Sequence, residues 1–552
     1  MRLCPKHKPG AYAAVMALVA VAALLLLPKP ELLDADTYSD RIYDRNGQLL
    51  HLGLSLDDKY RIRVPLREIP PAAREALLLY EDRWFYEHPG VNPASMLRAV
   101  WQMLTGGRRQ GASTLTMQVA RIVYHIDSSS VSGKLLQIVR ALQLEIFYSK
   151  DEILEAYFNL APYGGNIEGI AAAAQVWFNT PVSRLNLPQI LTLTVIPQNP
   201  VKRSPATPAG LKNAEAAAAR LKELWREKYP VSADDDLNLP LSSGRFLPHE
   251  APHAVRRLRE TARGKIAATL DENLQKQTEA ILSKYVKDNA GRGIFNAAAI
   301  LVDYKTAEVL AAVGSADFFN EKIDGQVDGT AALRSPGSAL KPFIYALALD
   351  QGLIHPRTML KDVPKNYGLY TPENFDRSFY GLVNATQALV YSRNIPAVDL
   401  LLRLEENSFY QMLEKAGVKK LKTPGYYGLA LALGGAEVSA QDLAALYAML
   451  GNGGKFRPLR WRKDEPQLPE TAMLSPEAAF LTLDMLSYNA PVDRRRLPFA
   501  KRSGTPYKVY WKTGTSYGYK DAWAAGLFGD FVLVVWVGNF DGTPNPAFTG
   551  RE

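Results

Sequence analysis

No charged or strongly polar residue occurs from position 11 to 27 (AYAAVMALVAVAALLLL), and the run ends at Pro28. That is the short end of the roughly 17 to 25 residues a spanning helix needs, so the pattern predicts a membrane anchor. Arg2, Lys6 and Lys8 precede it. By the positive-inside rule, residues 1–10 are cytoplasmic and everything after Pro28 is extracytoplasmic, or periplasmic if the bilayer is an inner membrane. The following PKPELLDAD lacks a small-x-small cleavage pattern, so the segment is expected to remain as a single-pass signal-anchor. Next, RIYDRNGQLL reads as extended chain with Asn46-Gly47 as a hairpin turn. Pro71 opens a helix through AAREALLLYEDRWF. Ser149 and Glu152 form a capping box ahead of ILEAYFN, and helical patterns rich in alanine and leucine continue to about Tyr229. Residues 230–264 are rich in proline, serine and aspartate without a sustained period and read as a linker. From Lys265 the texture is mixed. A helix over DENLQKQTEAILSKYV precedes two strands, AAAILVDY and EVLAAVGS, and another strand pair, VYWKTGTS and WAAGLFGDFVLVVWVGNFDG, lies near the end. The expected architecture is multidomain: an N-terminal transmembrane helix, a mainly α domain over 38–229, a linker, and an α+β domain with an antiparallel sheet over 265–552.

Length and composition agree with that division. A chain of 552 residues with 47% hydrophobic content has enough apolar material for two or three cores. Lysine plus arginine (65) exceed aspartate plus glutamate (56), a net +9 that favours anionic partners. No zinc-finger spacing, basic heptad region or RNA-binding signature occurs, which leaves a phosphate-bearing lipid as a better partner than nucleic acid. Cys4 is the single cysteine, so an intrachain disulfide and a cysteine-rich metal site are both excluded.

Three motifs in the later domain carry chemistry: Ser338-Ala-Leu-Lys341, Ser392-Arg-Asn394, and Lys512-Thr513-Gly514-Thr515 followed by Ser516. Residues three apart share a helix face, so the Lys341 amine is placed to take the Ser338 proton. Pro336-Gly337 puts that serine at a helix N-terminus, where developing negative charge is favoured. Ser392 can relay a proton to a leaving amine, and Asn394 can donate to Lys341 or to a substrate amide. The Lys512 segment is expected on an edge strand, open to an added extended peptide. There Gly514 would make room for the substrate, Thr515 would hold its carboxylate with Ser516 as a further substrate-binding residue, and Thr515 N–H would complete an oxyanion hole with that of Ser338. Any one such tetrapeptide is an ordinary surface event; three in this order are not.

With RSPGSALKPF and KTGTSYGYKDAW in view, this half resembles the penicillin-binding, β-lactamase-like transpeptidase domain of class A penicillin-binding proteins, and most closely their 1C type. The resemblance implies acylation of Ser338 by D-Ala-D-Ala stem peptides, cross-linking to a neighbouring stem, inhibition by β-lactams, and no cofactor for that step. Proteins of this kind continue into a closing helix and an extra domain, so the transpeptidase domain is expected to be incomplete at its C-terminal end.

The earlier half carries Glu81-Asp82-Arg83-Trp84-Phe85-Tyr86-Glu87-His88-Pro89-Gly90, then Gly111-Ala-Ser113-Thr114-Leu-Thr116-Met-Gln118, then a helix with Lys134, Arg140 and Glu145. Together these resemble the lysozyme-like peptidoglycan glycosyltransferases. The resemblance implies that Glu81 is the base that deprotonates an acceptor hydroxyl for inverting attack on lipid II, extending a glycan strand. It implies binding roles for Asp82, Arg83, Phe85, His88, Gly90, Ser113, Thr114, Gln118, Lys134, Gln137 and Arg140, the cations facing the leaving diphosphate with or without Mg²⁺. Aligned on Tyr148-Ser-Lys150 and Ile153-Leu154-x-x-Tyr157-x-Asn159, the family's Arg-Lys-x-x-Glu falls on Gly133-Lys134-Leu-Leu-Gln137. A glutamine thus replaces the usual glutamate; it cannot supply negative charge to a metal, and Glu145 is the candidate substitute. The stretch SMLRAVWQMLTGG is open to two readings, a membrane-dipping segment that admits a polyprenyl tail and a core helix.

The expected function is therefore glycan polymerisation joined to stem-peptide cross-linking, with the membrane and other wall-synthesis proteins as partners. Two alternatives stand beside it: a D,D-carboxypeptidase or β-lactam-acylated hydrolase with a non-catalytic N-terminal module, and an inactive scaffold for wall enzymes. Glu81 and both glycosyltransferase blocks argue against the first; the glutamine at 137 alone favours the second.

Overall fold

A computed structural model of the chain describes residues 28–34, 38–93, 113–229, 241–368, 370–406, 408–489 and 508–550. The expected anchor at 11–27, the stretch 95–107 and the first part of the expected linker lie outside these residues. Among the described residues no helix is long and apolar enough to cross a membrane. The chain forms two compact units, residues 52–248 with 1–41 and residues 249–552 with 42–51.

The first unit is mainly helical. Helix α1 (Pro71–Glu81) starts at a proline whose missing N–H costs nothing in a first turn, and it buries Ala73, Ala76, Leu77 and Leu79. α2 (Leu115–Val123) is capped by Thr114, whose side chain accepts from Met117 N. α3 (Val131–Phe147) follows, and then α4 (Lys150–Leu160), which opens with the expected capping box of Ser149 and Glu152. α5 (Ile170–Phe178) and α6 (Leu187–Val195) are apolar almost all round and form the centre of the unit. α7 (Pro208–Lys228) packs against α6 and α1 through Leu211, Ala214, Ala218 and Leu221.

The second unit contains an antiparallel five-stranded sheet: β1 (Asn296–Asp303), β2 (Glu308–Val313), β3 (Val509–Thr515), β4 (Asp521–Phe528) and β5 (Phe531–Gly538), in the order β3-β4-β5-β1-β2. The expected hairpin and terminal strand pair both occur, and they join through β5 against β1. One face is covered by α9 (Glu272–Asn289), the other by α12 (Ala440–Gly451). Behind the latter lie α10 (Lys341–Asp350) and α11 (Asn394–Arg403). Phe343, Ile344, Tyr345 and Leu347 sink α10 into the main core. Burial of about 1.5–3 kcal/mol per large apolar side chain makes α10 one of the least movable elements.

Two expected boundaries differ. Residues 252–261, inside the expected linker, are helix α8 (Pro252–Thr261), and Ala254, Val255 and Leu258 belong to the core of the second unit. Proline and serine suggested irregular chain, but Pro252 sits in the first turn, where it is tolerated. The Asn46-Gly47 turn forms as expected, with Gly47 at φ 86°, yet the first of its strands pairs with residues 265–267 and residues 42–51 belong to the second unit, not the first. Ile42 and Leu50 are buried in that unit's core, so tertiary burial overrides chain proximity.

Candidate functional site

In the second unit, Gly337–Leu340 is a 3₁₀ turn that runs into α10, so Ser338 lies one turn before the helix and Lys341 at its first position. Gly337 has φ 52°, and a Cβ there would lie 2.3 Å from Thr515 O. The turn is pinned on several sides. Tyr447 OH donates to Ala339 O at 2.8 Å, Trp523 Nε1 donates to Ser335 O at 2.9 Å, and Ser335 Oγ donates to Gly434 O at 2.9 Å. None of these three supports was foreseen, because each joins distant parts of the chain.

Lys341 is fully buried. Its Nζ donates to Asn394 Oδ1 at 2.6 Å, Ser392 O at 2.7 Å and Arg393 O at 3.3 Å. Lys512 Nζ donates to Ser392 Oγ at 2.9 Å. All three motifs therefore meet as expected, with one difference: the bonds of the Lys341 amine run to the Ser392-Arg393-Asn394 turn, and Ser338 is not among its hydrogen-bond partners within the described residues. Burial holds the Lys341 amine well below its ordinary pKa, aided by the Lys512 and Arg393 charges and opposed by Asp362. Three acceptor oxygens favour the ammonium, but desolvation in a fully enclosed site outweighs them, and the neutral amine is the form that can take a proton.

β3 is the edge strand, with Gly514 opposite Trp523. Strand alternation puts buried Lys512, Gly514 and Ser516 on one face and half-buried Thr513 and Thr515 on the other. The reason for Gly514 is corrected: a Cβ there would lie 2.1 Å from Pro336 O, so the glycine admits the turn that carries Ser338 rather than a substrate. Ser516, expected to bind substrate, is 5% exposed and accepts from Asp521 N at 2.9 Å; it fastens the turn after β3.

In the first unit, Glu81 is the last residue of α1, where the negative end of the helix dipole disfavours a carboxylate. Its Oε2 accepts from Gln118 Nε2 at 2.9 Å. Burial pushes the carboxyl up, against the pull of the Gln118 and Gln198 amides and the Arg203 charge. Gln198 and Arg203, on the turn after α6, were not anticipated. Lys134 Nζ donates to Ser113 Oγ at 2.6 Å and to Gln137 Oε1 at 2.9 Å, and Gln137 Nε2 donates to Met117 O at 2.6 Å. Burial, and then Arg121, lower the Lys134 pKa.

Other residues of the two blocks make their hydrogen bonds elsewhere than to Glu81 or Lys134. Asp82 accepts from Leu115 N at 3.0 Å and from His88 Nε2 at 3.0 Å, and both are buried. Phe85 is 1% exposed, with Lys150 Nζ 4.5 Å over its ring. Thr114 Oγ1 donates to Gly90 O at 2.5 Å. Arg83 is exposed and its Nε donates back to Leu79 O in the last turn of α1. Arg140 stacks on Tyr124 and donates to Gln143 Oε1 at 2.7 Å, so it does not join Lys134, Ser113 or Gln118. Glu145 is occupied by Lys150 Nζ at 2.7 Å and Thr116 Oγ1 at 2.5 Å. A divalent cation fits this donor set poorly: a lysine occupies its centre, amides and a hydroxyl surround it, and among the described residues no group of three histidine, cysteine or carboxylate side chains stands ready for a metal.

Comparison with known proteins finds two domain families along the chain. The Transglycosylase family model matches residues 47–227, and the Penicillin binding protein transpeptidase domain model matches residues 297–537. Penicillin-binding protein 1C of Escherichia coli (strain K12) is 39% identical over 496 residues, 88% of this chain and 63% of that protein. Penicillin-binding protein 1F of Bacillus subtilis (strain 168) is 30% identical over 541 residues, 91% of this chain and 73% of that protein. The chain belongs to the class A penicillin-binding proteins. Within them it is of the 1C type. It spans less than two thirds of the length of the E. coli relative. The crystal structure of penicillin-binding protein 1A from Haemophilus influenzae shares the fold, with a TM-score of 0.53 at 18% identity over 93% of this chain and 90% of that one.

Proposed function

We propose that the chain is a bifunctional peptidoglycan synthase whose first unit polymerises lipid II into glycan strands and whose second unit cross-links their stem peptides. The observation that carries this reading is the buried Lys341 amine held against the Ser392-Asn394 turn, beside the edge strand of Lys512, one helical turn after Ser338.

In transpeptidation, Ser338 Oγ attacks the carbonyl of the penultimate D-alanine and its proton passes to neutral Lys341. The amide bond to the terminal D-alanine breaks, and the leaving amine takes its proton through the Ser392 hydroxyl, which Lys512 holds in place. An amine of a neighbouring stem then attacks the ester, forms the cross-link and returns the proton to Ser338. The place of β3 at the end of the sheet supports an extended stem peptide added alongside it. No cofactor is needed for these steps, and a β-lactam would acylate the same serine.

In glycosyl transfer, Glu81 takes the proton of the acceptor 4-hydroxyl as that oxygen attacks the anomeric carbon. The bond to the diphosphate breaks on the opposite face, so an α-linked donor gives a β-linked strand. A raised carboxyl pKa suits a base that must both bind and release a proton near neutrality. Lys134 faces the negative charge of the leaving diphosphate, and the poor fit of a cation to the surrounding donors makes that lysine, rather than Mg²⁺, its counter-charge. Residues 11–27 as a signal-anchor in the cytoplasmic membrane, with both units outside, would keep the enzyme beside a substrate confined to the bilayer.

The test uses purified chain in detergent with lipid II and, separately, a fluorescent penicillin. Long glycan products that Glu81→Gln abolishes, and labelling that Ser338→Ala abolishes, are expected. Absence of glycan would favour the carboxypeptidase reading, absence of both would favour a scaffold, and labelling that survives Ser338→Ala would remove the nucleophile assignment.

A further inference from the structure

Behind Lys341 lies an ion pair that the three motifs do not require. Asp362 is fully buried, and Arg393, the middle residue of Ser392-Arg393-Asn394, is 3% exposed. Asp362 Oδ2 accepts from Arg393 Nε at 2.8 Å and from Tyr380 N at 3.0 Å, while its Oδ1 accepts from Asn374 Nδ2 at 2.7 Å. The rest of the guanidinium is used as well. Its NH1 donates to Asp376 Oδ2 at 2.9 Å, NH2 donates to Ser378 O, and the Tyr380 ring lies 4.1 Å beneath it. Asn374 returns to the motif, since its Oδ1 accepts from Asn394 N at 2.7 Å, and Asn394 Nδ2 donates to Glu373 O at 2.6 Å.

The backbone explains why such an anchor is needed. Ser392 has φ 60°, a left-handed conformation that a non-glycine residue keeps only when its surroundings impose it. That conformation is what lets the carbonyls of Ser392 and Arg393 and the Asn394 side chain converge on one amine. A generic surface arginine would leave the turn free to relax to right-handed geometry. A buried arginine with two carboxylates, a carbonyl and a ring has no alternative position.

We propose that the Asp362–Arg393 ion pair is a positioning device for the acylation step, which holds the Ser392-Asn394 turn against Lys341 and keeps a fixed positive charge beside that amine. Neither Asp362 nor Arg393 touches substrate; both act through Lys341. The charged groups that act on the Lys341 amine are Lys512 and Arg393, which favour its neutral form, and Asp362, which opposes them. The signs follow directly. Acylation needs the neutral amine, so its rate rises with pH through the Lys341 titration. Removing the Arg393 charge strengthens proton binding and moves that limb up in pH; removing the Asp362 charge leaves two cations less opposed and moves it down.

The inference rests on the proposed acyl-enzyme chemistry, and the experiment separates the two. The rate of fluorescent-penicillin labelling is followed against pH for the full chain, for Arg393→Gln, Asp362→Asn and Arg393→Lys, and for the double variant Asp362→Asn with Arg393→Gln, which keeps hydrogen-bonding capacity without either charge. Expected are limb shifts of opposite sign in the two single charge-removing variants, each about one pH unit or a tenfold rate change at fixed pH. A limb nearer wild type is expected in the double variant, and Arg393→Lys should recover part of the rate. Shifts of the same sign, or unmoved limbs in the two folded single charge-removing variants, would overturn the positioning role. Wild-type chain that fails to label, or labels without Ser338, would instead overturn the acyl-enzyme reading.

Discussion

Gln118 Nε2 donates to Oε2 of Glu81 at 2.9 Å across a separation of 37 residues. The bond stabilises the carboxylate and so opposes the burial that pushes this acid up. Gln118→Leu removes that opposition and raises the Glu81 pKa further. Because the carboxylate is the base, the rising limb of glycan polymerisation should move to higher pH, read as lipid II turnover across the neutral range. An unmoved limb would detach Gln118 from the base.

Lys134 is the half-buried cation held by Ser113 and Gln137. Lys134→Ala should lower polymerisation by roughly a hundredfold, the scale of a lost charge-stabilising contact in a desolvated site. Lys134→Arg should retain more, and a metal chelator should leave the wild-type rate unchanged. A chelated enzyme restored by Mg²⁺ would overturn the assignment of the counter-charge to this lysine.

Gly337 combines φ 52° with a Cβ position 2.3 Å from Thr515 O. Gly337→Ala should destabilise the second unit by about 2 kcal/mol and slow penicillin labelling, because the turn bearing Ser338 must move away from β3. Chemical denaturation and labelling rate measure the two effects on the same sample.

Ser149 and Glu152 complete their capping box reciprocally: Ser149 N donates to Glu152 Oε2 at 2.7 Å, and Glu152 N donates to Ser149 Oγ at 3.3 Å. Ser149→Ala should lower the stability of the first unit by about 1 kcal/mol with penicillin labelling unchanged. A loss of labelling would mean the two units do not fold independently.

Features set within a few residues were legible before any fold was known. The capping box, the turn at Asn46-Gly47, the proline that opens α1 and the alternation of the strands are local, since their partners lie within one turn or one pleat. The three serine-site motifs were legible for a different reason: the chemistry restricts which side chains can be used, so residue type survives as a signal even though the partners are far apart.

What chain order did not reveal was decided by packing between distant residues. Asp82, Phe85 and His88 share a block with Glu81, yet the turns that follow α1 bury them, Asp82 bonding the first turn of α2 and His88 while Phe85 enters the core. Arg140 carries the charge expected for a diphosphate but is held by Tyr124 and Gln143. Residues 252–261 form α8, and Ile42 and Leu50 join the second core, because apolar side chains go where burial is available and not to the nearest segment. The same holds for Arg393. By itself the sequence determined which residue types carry the two chemistries and in what order; only the tertiary structure decided that Asp362 pairs with Arg393 and that Gly514 makes way for Pro336, since both relations depend on distances between segments that composition and periodicity do not encode.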